Sequence, residues 1–183
     1  MKTVKVLAAI VIAIGFSSIS YGQKALEGSR ISPMQVGSAT LSMGVGVGSQ
    51  YKNGDYHSPF GTKVALEFGM WQAGPGVITL GPQVGGSFSD YYNDHKYRTV
   101  VIAARSAWHY GWNVPNLDTY AGLSAGIGFH RDEWKNHEDE TETIPVFGGF
   151  IGASYYVTPV FGFNVEAGYD ITNFQGGIIF KLK

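Results

Sequence analysis

The sequence predicts an all-β fold, an eight-stranded antiparallel up-and-down transmembrane β-barrel preceded by a cleaved signal peptide, and three observations predict it. Apolar residues recur with a period of two along almost the whole chain, and no long stretch has a period of 3.6. The alternating stretches run to roughly 9 to 14 residues, enough to cross a bilayer as tilted strands, whereas strands of soluble sheets are nearer 5 or 6. The face opposite the apolar one is built from Gly, Ser and Thr, not from the many Lys and Glu of a solvated surface.

A chain of 183 residues with 26 Gly and no Cys suits a single domain. The lack of cysteine removes disulfides, thiolate catalysis and Cys-based zinc sites together. A formal net charge of -1 provides no basic footprint for nucleic acid.

At the N-terminus, Lys2 and Lys5 precede the apolar run VLAAIVIAIGF, and Ser20 and Gly22 stand where a signal peptidase expects small residues. The run is short of the about 20 residues that a membrane-spanning helix needs. Residues 1–22 therefore read as a signal peptide, 23–38 as an N-terminal periplasmic segment, and 39–183 as the barrel domain.

Strands are expected at Ala39–Ser49, Phe60–Trp71, Val77–Phe88, Tyr97–Tyr110, Leu117–His130, Ile144–Val157, Val160–Tyr169 and Phe174–Leu182. In FGTKVALEFGMW, Phe60, Thr62, Val64, Leu66, Phe68 and Met70 share one face, and Gly61, Lys63, Ala65, Glu67, Gly69 and Trp71 share the other. The first strand opposes Leu41, Met43, Val45 and Val47 to Thr40, Ser42, Gly44 and Gly46, and the fifth and seventh repeat the pattern. Gly is a poor strand former, so its repeated use on one face asks for a steric reason, and the crowded interior of a narrow barrel supplies one. The apolar face is then expected to meet lipid.

The connections alternate in length, with long external loops at 51–59, 89–96 and 131–143 and short turns between them. The last connection, Asp170 to Asn173, falls on the long-loop side yet is short. Charges on the Gly-rich face must pair, because isolated buried charge is costly. An internal salt-bridge network of Lys63, Glu67, Arg105, Asp118, Glu166 and Lys181 is expected, with His109 on the same face. Aromatic residues gather at strand ends and suit membrane interfaces. Trp71, Trp108, Tyr110 and Trp112 form the expected girdle on the short-turn side with Tyr155 and Phe161, and Phe60, Phe88, Tyr97, Phe129, Phe147 and Phe174 form the other.

With eight alternating strands, a signal peptide, long loops and a closing FQGGIIFKLK, the chain resembles the small eight-stranded outer-membrane barrels of the OmpA transmembrane-domain and OmpX type. It is also similar to the outer membrane β-barrel or porin-family-like proteins of Bacteroidetes. The resemblance implies a bacterial outer-membrane location, lipids and lipopolysaccharide as surroundings, and a final strand read by the barrel-assembly machinery during insertion. That strand usually ends in an aromatic residue, whereas here Phe180 is followed by Lys181, Leu182 and Lys183. No peptidoglycan-binding domain follows, so cell-wall anchoring does not carry over.

A barrel of this size is just filled by its own side chains, which leaves the loops as working surface. Tyr51, Tyr56, Tyr91, Tyr92 and Trp134 are the expected contact residues. HRDEWKNHEDETET, 130–143, offers carboxylates and His137 to a cation but has no EF-hand spacing, and a solvated loop is the preferred reading. Ser106 and His109 have opposite parity, so they face different ways and make no nucleophile–base pair. They also lack the His-x-Ser-Asn pattern of the lipid A deacylases. GVGVG and GLSAGIG lack the strand-turn-helix setting of a phosphate loop.

The expectation is a non-enzymatic, monomeric structural or interaction protein with neither cofactor nor metal, serving membrane integrity, adhesion or surface contact. A soluble periplasmic lipocalin-like barrel holding a small apolar ligand is the alternative, and a lipid-modifying outer-membrane enzyme a third reading.

Overall fold

A computed structural model describes residues 32–49, 60–91, 95–133 and 140–183, with the backbone alone at 89–91, 95–97, 132–133 and 140–141. The expected signal peptide and most of the segment after it lie outside the described residues. The elements are β1 (Ala39–Val47), β2 (Phe60–Ala73), β3 (Gly76–Tyr91), β4 (His95–Tyr110), β5 (Leu117–Glu133), β6 (Glu140–Tyr156), β7 (Phe161–Tyr169) and β8 (Phe174–Lys181).

Each strand pairs antiparallel with the next, and β1 pairs with β8, so the sheet closes into a barrel without an edge. Closure is completed where the chain ends meet: the Ala39 amide donates to the Lys183 carbonyl at 3.1 Å, and the Leu182 amide to Ala39 at 2.7 Å. This is the terminal end of the barrel, and the opposite one is the loop end.

Two stretches expected to be long loops are largely strand. β3 and β4 stay in register out to Tyr91↔His95, and β5 and β6 out to Asp132↔Glu140. Once a hairpin is in register, each further pair satisfies backbone donors and acceptors, and polar side chains present no obstacle to that.

The alternation sorts side chains as a membrane barrel does. Val45, Val84, Ile102, Leu123, Ile151 and Val165 are exposed on the outer wall. Thr40, Lys63, Glu67, Gln83, Arg105, Asp118, Asn164 and Gln175 are buried inside. This corrects the lipocalin-like alternative, which requires an apolar cavity and a wet exterior.

Glycine makes the narrow bore possible. A Cβ on inward-facing Gly126 would be driven into the Ile102 carbonyl and the Cα of Ala103 on β4. The β2–β3 hairpin turns on Gly74 and Pro75, with Ala73 opposite Gly76. Gly74 has φ +59°, the backbone sign that the first residue of such a two-residue turn requires.

Among the described residues, strict alternation fails near this turn. The β2–β3 register shifts between Gly69 and Trp71, and the bulge carries Trp71 from the inner to the outer face, where it is 54% exposed. Gly69 lies against the N-terminal segment: its amide donates to Ser38 and its carbonyl accepts from Gly37, both at 2.8 Å. On its inner side Gly69 meets the Gln35 carbonyl, which a Cβ would strike.

Candidate functional site: a closed polar interior

The middle of the barrel is held by two cations and three carboxylates. Lys63 on β2 bonds Glu166 on β7 and, at 3.0 Å, Asp170 beyond the end of β7. Arg105 on β4 reaches Glu166 Oε2 with Nη2 at 2.9 Å, and its Nε lies 3.3 Å from Glu67 Oε2. The Arg105 guanidinium also covers the ring of Phe150 at 4.0 Å, a cation–π contact in a site sheltered from water. Tyr120 Oη donates to Glu166 Oε2 at 3.3 Å, so one carboxylate draws on β2, β4 and β5 at once.

Toward the terminal end the network continues through Thr79, His109 and Asp118. Thr79 Oγ1 donates to Glu67 Oε1 at 2.7 Å, and His109 Nε2 lies 3.5 Å from the same oxygen. The other nitrogen of His109, Nδ1, is 2.8 Å from Asp118 Oδ2. Parity had placed His109 on this face, and the structure makes it the link between Glu67 and Asp118.

The structure thus brings Lys63, Glu67, Arg105, Asp118 and Glu166 into one cluster. Lys181 is not part of it, a correction to the expected set. It lies at the last position of β8, beside the barrel mouth, and its Nζ donates to the Pro33 carbonyl at 2.8 Å. Among the described residues, its ammonium is committed to that carbonyl and not to a carboxylate.

Asp170 is the member the sequence reading left in a turn. It accepts from Ser124 Oγ at 2.9 Å and Gln83 Nε2 at 3.2 Å besides Lys63. Continuing the inward series Asn164, Glu166, Gly168 would have found it.

Asp170 also brings its neighbours inside, which explains the short last connection. Ile171 is fully buried against Val101, Ala103 and Val146, and Thr172 Oγ1 donates to Gln175 Oε1 at 3.1 Å. This turn closes the loop end. At the other mouth, Met34 is 2% exposed within a segment tied to Gly69 and to Lys181. Shortening the apolar plug by one methylene, Ile171→Val, is expected to lower stability by about 0.5–1.5 kcal/mol, read as the urea midpoint of the refolded barrel.

The outer wall carries the expected aromatics. Trp108, Trp112 and Tyr155 are exposed near the terminal end with Trp71. Tyr110 stands between Trp108, at 5.6 Å, and Trp112, at 4.8 Å between ring centroids. Trp108 Nε1 donates to the Ala73 carbonyl at 3.0 Å and Trp112 Nε1 to Thr119 Oγ1 at 2.7 Å, so each indole presents an apolar body with a satisfied polar edge. Near the loop end, Phe60, Phe88, Phe129, Phe147 and Phe174 are exposed.

Ser106 points outward and donates to the Thr79 carbonyl at 2.7 Å, on the opposite side of the wall from His109. Among the described residues no three His, Asp or Glu side chains converge as metal ligands. The expected contact residues Tyr51, Tyr56, Tyr92 and Trp134, and the side chains of Tyr91 and Tyr97, lie outside the described residues.

No family model and no curated protein matches this sequence. Among solved structures, the fold is similar to the crystal structure of Neisserial surface protein A, with a TM-score of 0.53 and 12% identity over 79% of this chain and 96% of that one. A lower similarity, TM-score 0.47 at 12% identity, is found to Ail, the attachment invasion locus protein of Yersinia pestis, over 80% of this chain and 96% of that one. The fold is that of the small eight-stranded outer-membrane β-barrels.

Proposed function

We propose that this chain spans a bacterial outer membrane as a closed, non-catalytic barrel and acts through its wall and its loop-end surface, in membrane integrity, adhesion or surface contact. The observation that carries this reading is the inversion of faces. Large apolar residues cover the outside, an ion-pair network fills the inside, and aromatic residues border both ends of the apolar belt. Exposed apolar surface on this scale would be a liability in water.

The two plugged mouths favour a structural or interaction role over transport, since polar side chains and Ile171 occupy the bore. β3 to β6 are the longest strands, running at the loop end as far as Tyr91, His95, Glu133 and Glu140. That placement suits display to an external partner. Export through residues 1–22, insertion by the barrel-assembly machinery, contact with lipopolysaccharide and a monomeric state complete the proposal. The resemblance to Neisserial surface protein A, a surface protein by its printed name, agrees with it.

Membrane fractionation followed by gel electrophoresis of boiled and unboiled outer-membrane samples tests the proposal. The expected result is a detergent-resistant species in the membrane fraction whose migration shifts on boiling, as a closed hydrogen-bonded barrel unfolds. Recovery in the soluble periplasm with no heat shift would overturn it.

A further inference from the structure

The buried charges of the barrel do not balance. Four carboxylates, Glu67, Asp118, Glu166 and Asp170, share the described interior with Lys63, Arg105 and His109 as the only buried basic groups. Even with His109 counted as charged, one negative charge is left over. Lys63 is engaged by Glu166 and Asp170, and Arg105 by Glu166 and Glu67. These groups alternate along one chain, Asp170, Lys63, Glu166, Arg105, Glu67, His109 and Asp118, so the excess falls on its two carboxylate ends. Asp170 also accepts from Ser124 and Gln83, whereas Asp118 has His109, at Oδ2, as its one charged neighbour among the described residues.

The other oxygen of Asp118 is part of a pattern. In the ladder, Asp118 on β5 faces Ser154 on β6, and Ser154 faces Asn164 on β7. All three point inward at one level, at 1%, 0% and 3% exposure. Asp118 Oδ1, Ser154 Oγ and Asn164 Oδ1 are each buried with no hydrogen-bond partner among the described residues.

Directly opposed residues across strands have Cβ atoms only about 4.5–5.5 Å apart, so Ser154 stands beside both Asp118 and Asn164 and links them in one row. The next residue in the row is Gly177 on β8, and the one after it Gly44 on β1. A Cβ at Gly177 would lie 2.9 Å from Asn164 Oδ1, so glycine keeps open the ground that the amide oxygen overlooks. The row nearer the loop end holds Tyr120 and that nearer the terminal mouth Tyr156, both buried, which sets the space apart from bulk water.

Three oxygens, one of them anionic, in an interior with one uncompensated negative charge, are what a small hard cation takes. A water molecule would satisfy the hydrogen bonds and leave the charge. We infer that Asp118, Ser154 and Asn164 form a binding site for a monovalent cation of the sodium class inside the barrel wall. The site depends on the closed barrel alone and goes beyond the proposed surface role.

Thallium(I) is a monovalent cation with strong anomalous scattering and reports directly on such a site. Crystals of the intact purified barrel soaked in a thallium salt are expected to show an anomalous peak among the three oxygens. The variant Ser154→Ala/Asn164→Leu keeps Asp118 and its histidine, and is expected to lose the peak while retaining the heat-shifted gel band. No peak in the wild-type barrel, density without anomalous signal as water would give, or a peak that persists unchanged in the variant would overturn the inference. Because the wild-type measurement decides by itself, failure of the variant to fold does not shelter the proposal.

Discussion

Replacing Arg105 by Met is expected to destabilise the barrel by about 3–5 kcal/mol, the cost of removing one partner from a buried ion pair. Arg105 is 1% exposed, so water cannot take over its role. Its removal leaves Glu67 with only neutral Thr79 and the more distant His109, and leaves Glu166 dependent on Lys63 and Tyr120. Met matches the length of the arginine stem and can still lie on Phe150, so lost packing is a minor part of the effect. The urea midpoint of barrels refolded in micelles measures it.

The second mutation of the cycle separates charge from shape. Glu67→Gln on the Arg105→Met background removes one of the stranded charges, and the double variant is expected to be more stable than the sum of the two single losses by about 0.5–3 kcal/mol. Strict additivity would mean that Arg105 matters as a space-filling side chain and that the ion pairs add nothing.

The periodicity that placed Arg105 and Glu67 together is also why most of this fold could be read from the chain. A period of two assigns every residue to a face, and the Gly, Ser and Thr composition of one face says that it is crowded and enclosed. β1, β2, β5 and β8 begin where the alternation begins. The failures are places where a period cannot speak. Trp71 changed faces because a bulge beside the N-terminal segment interrupts the count. Lys181 has inward parity and shares a register row with Thr40 and Glu67, but parity does not say which acceptor a long side chain meets, and its ammonium donates to the carbonyl of Pro33.

Asp170 and Ile171 were missed for a different reason. A four-residue connection reads as a turn, and turns are expected outside, yet Asp170 continues the inward face of β7 and its bonds to Lys63, Gln83 and Ser124 carry Ile171 into the bore. The orphan oxygens of Ser154 and Asn164 were equally hidden, since nothing in a sequence shows which hydroxyl or amide will find a partner. They emerge only from the cross-strand register.

Leu123→Arg is expected to cost about 2–4 kcal/mol if the outer wall faces lipid, the penalty for a cation near the middle of a bilayer. In water the same exchange at an exposed position stays within about 0.5 kcal/mol of neutral. Leu123 is well suited to the comparison because it is 72% exposed and its register neighbours Ser106 and Gly149 are small, so little protein packing is lost with it. The penalty should also depend on depth. Phe129 stands on the same outward face of β5 six positions nearer the loop end, and Phe129→Arg should lose only about 0–1 kcal/mol to the bilayer, beyond the packing that any Phe replacement loses. Correcting each site with the corresponding Ala variant isolates the charge. Unfolding from lipid vesicles should then give a large charge penalty at Leu123 and a small one at Phe129. Equal, small penalties at both positions would mean that no hydrocarbon surrounds the belt, and the wall would have to be covered by something other than a membrane.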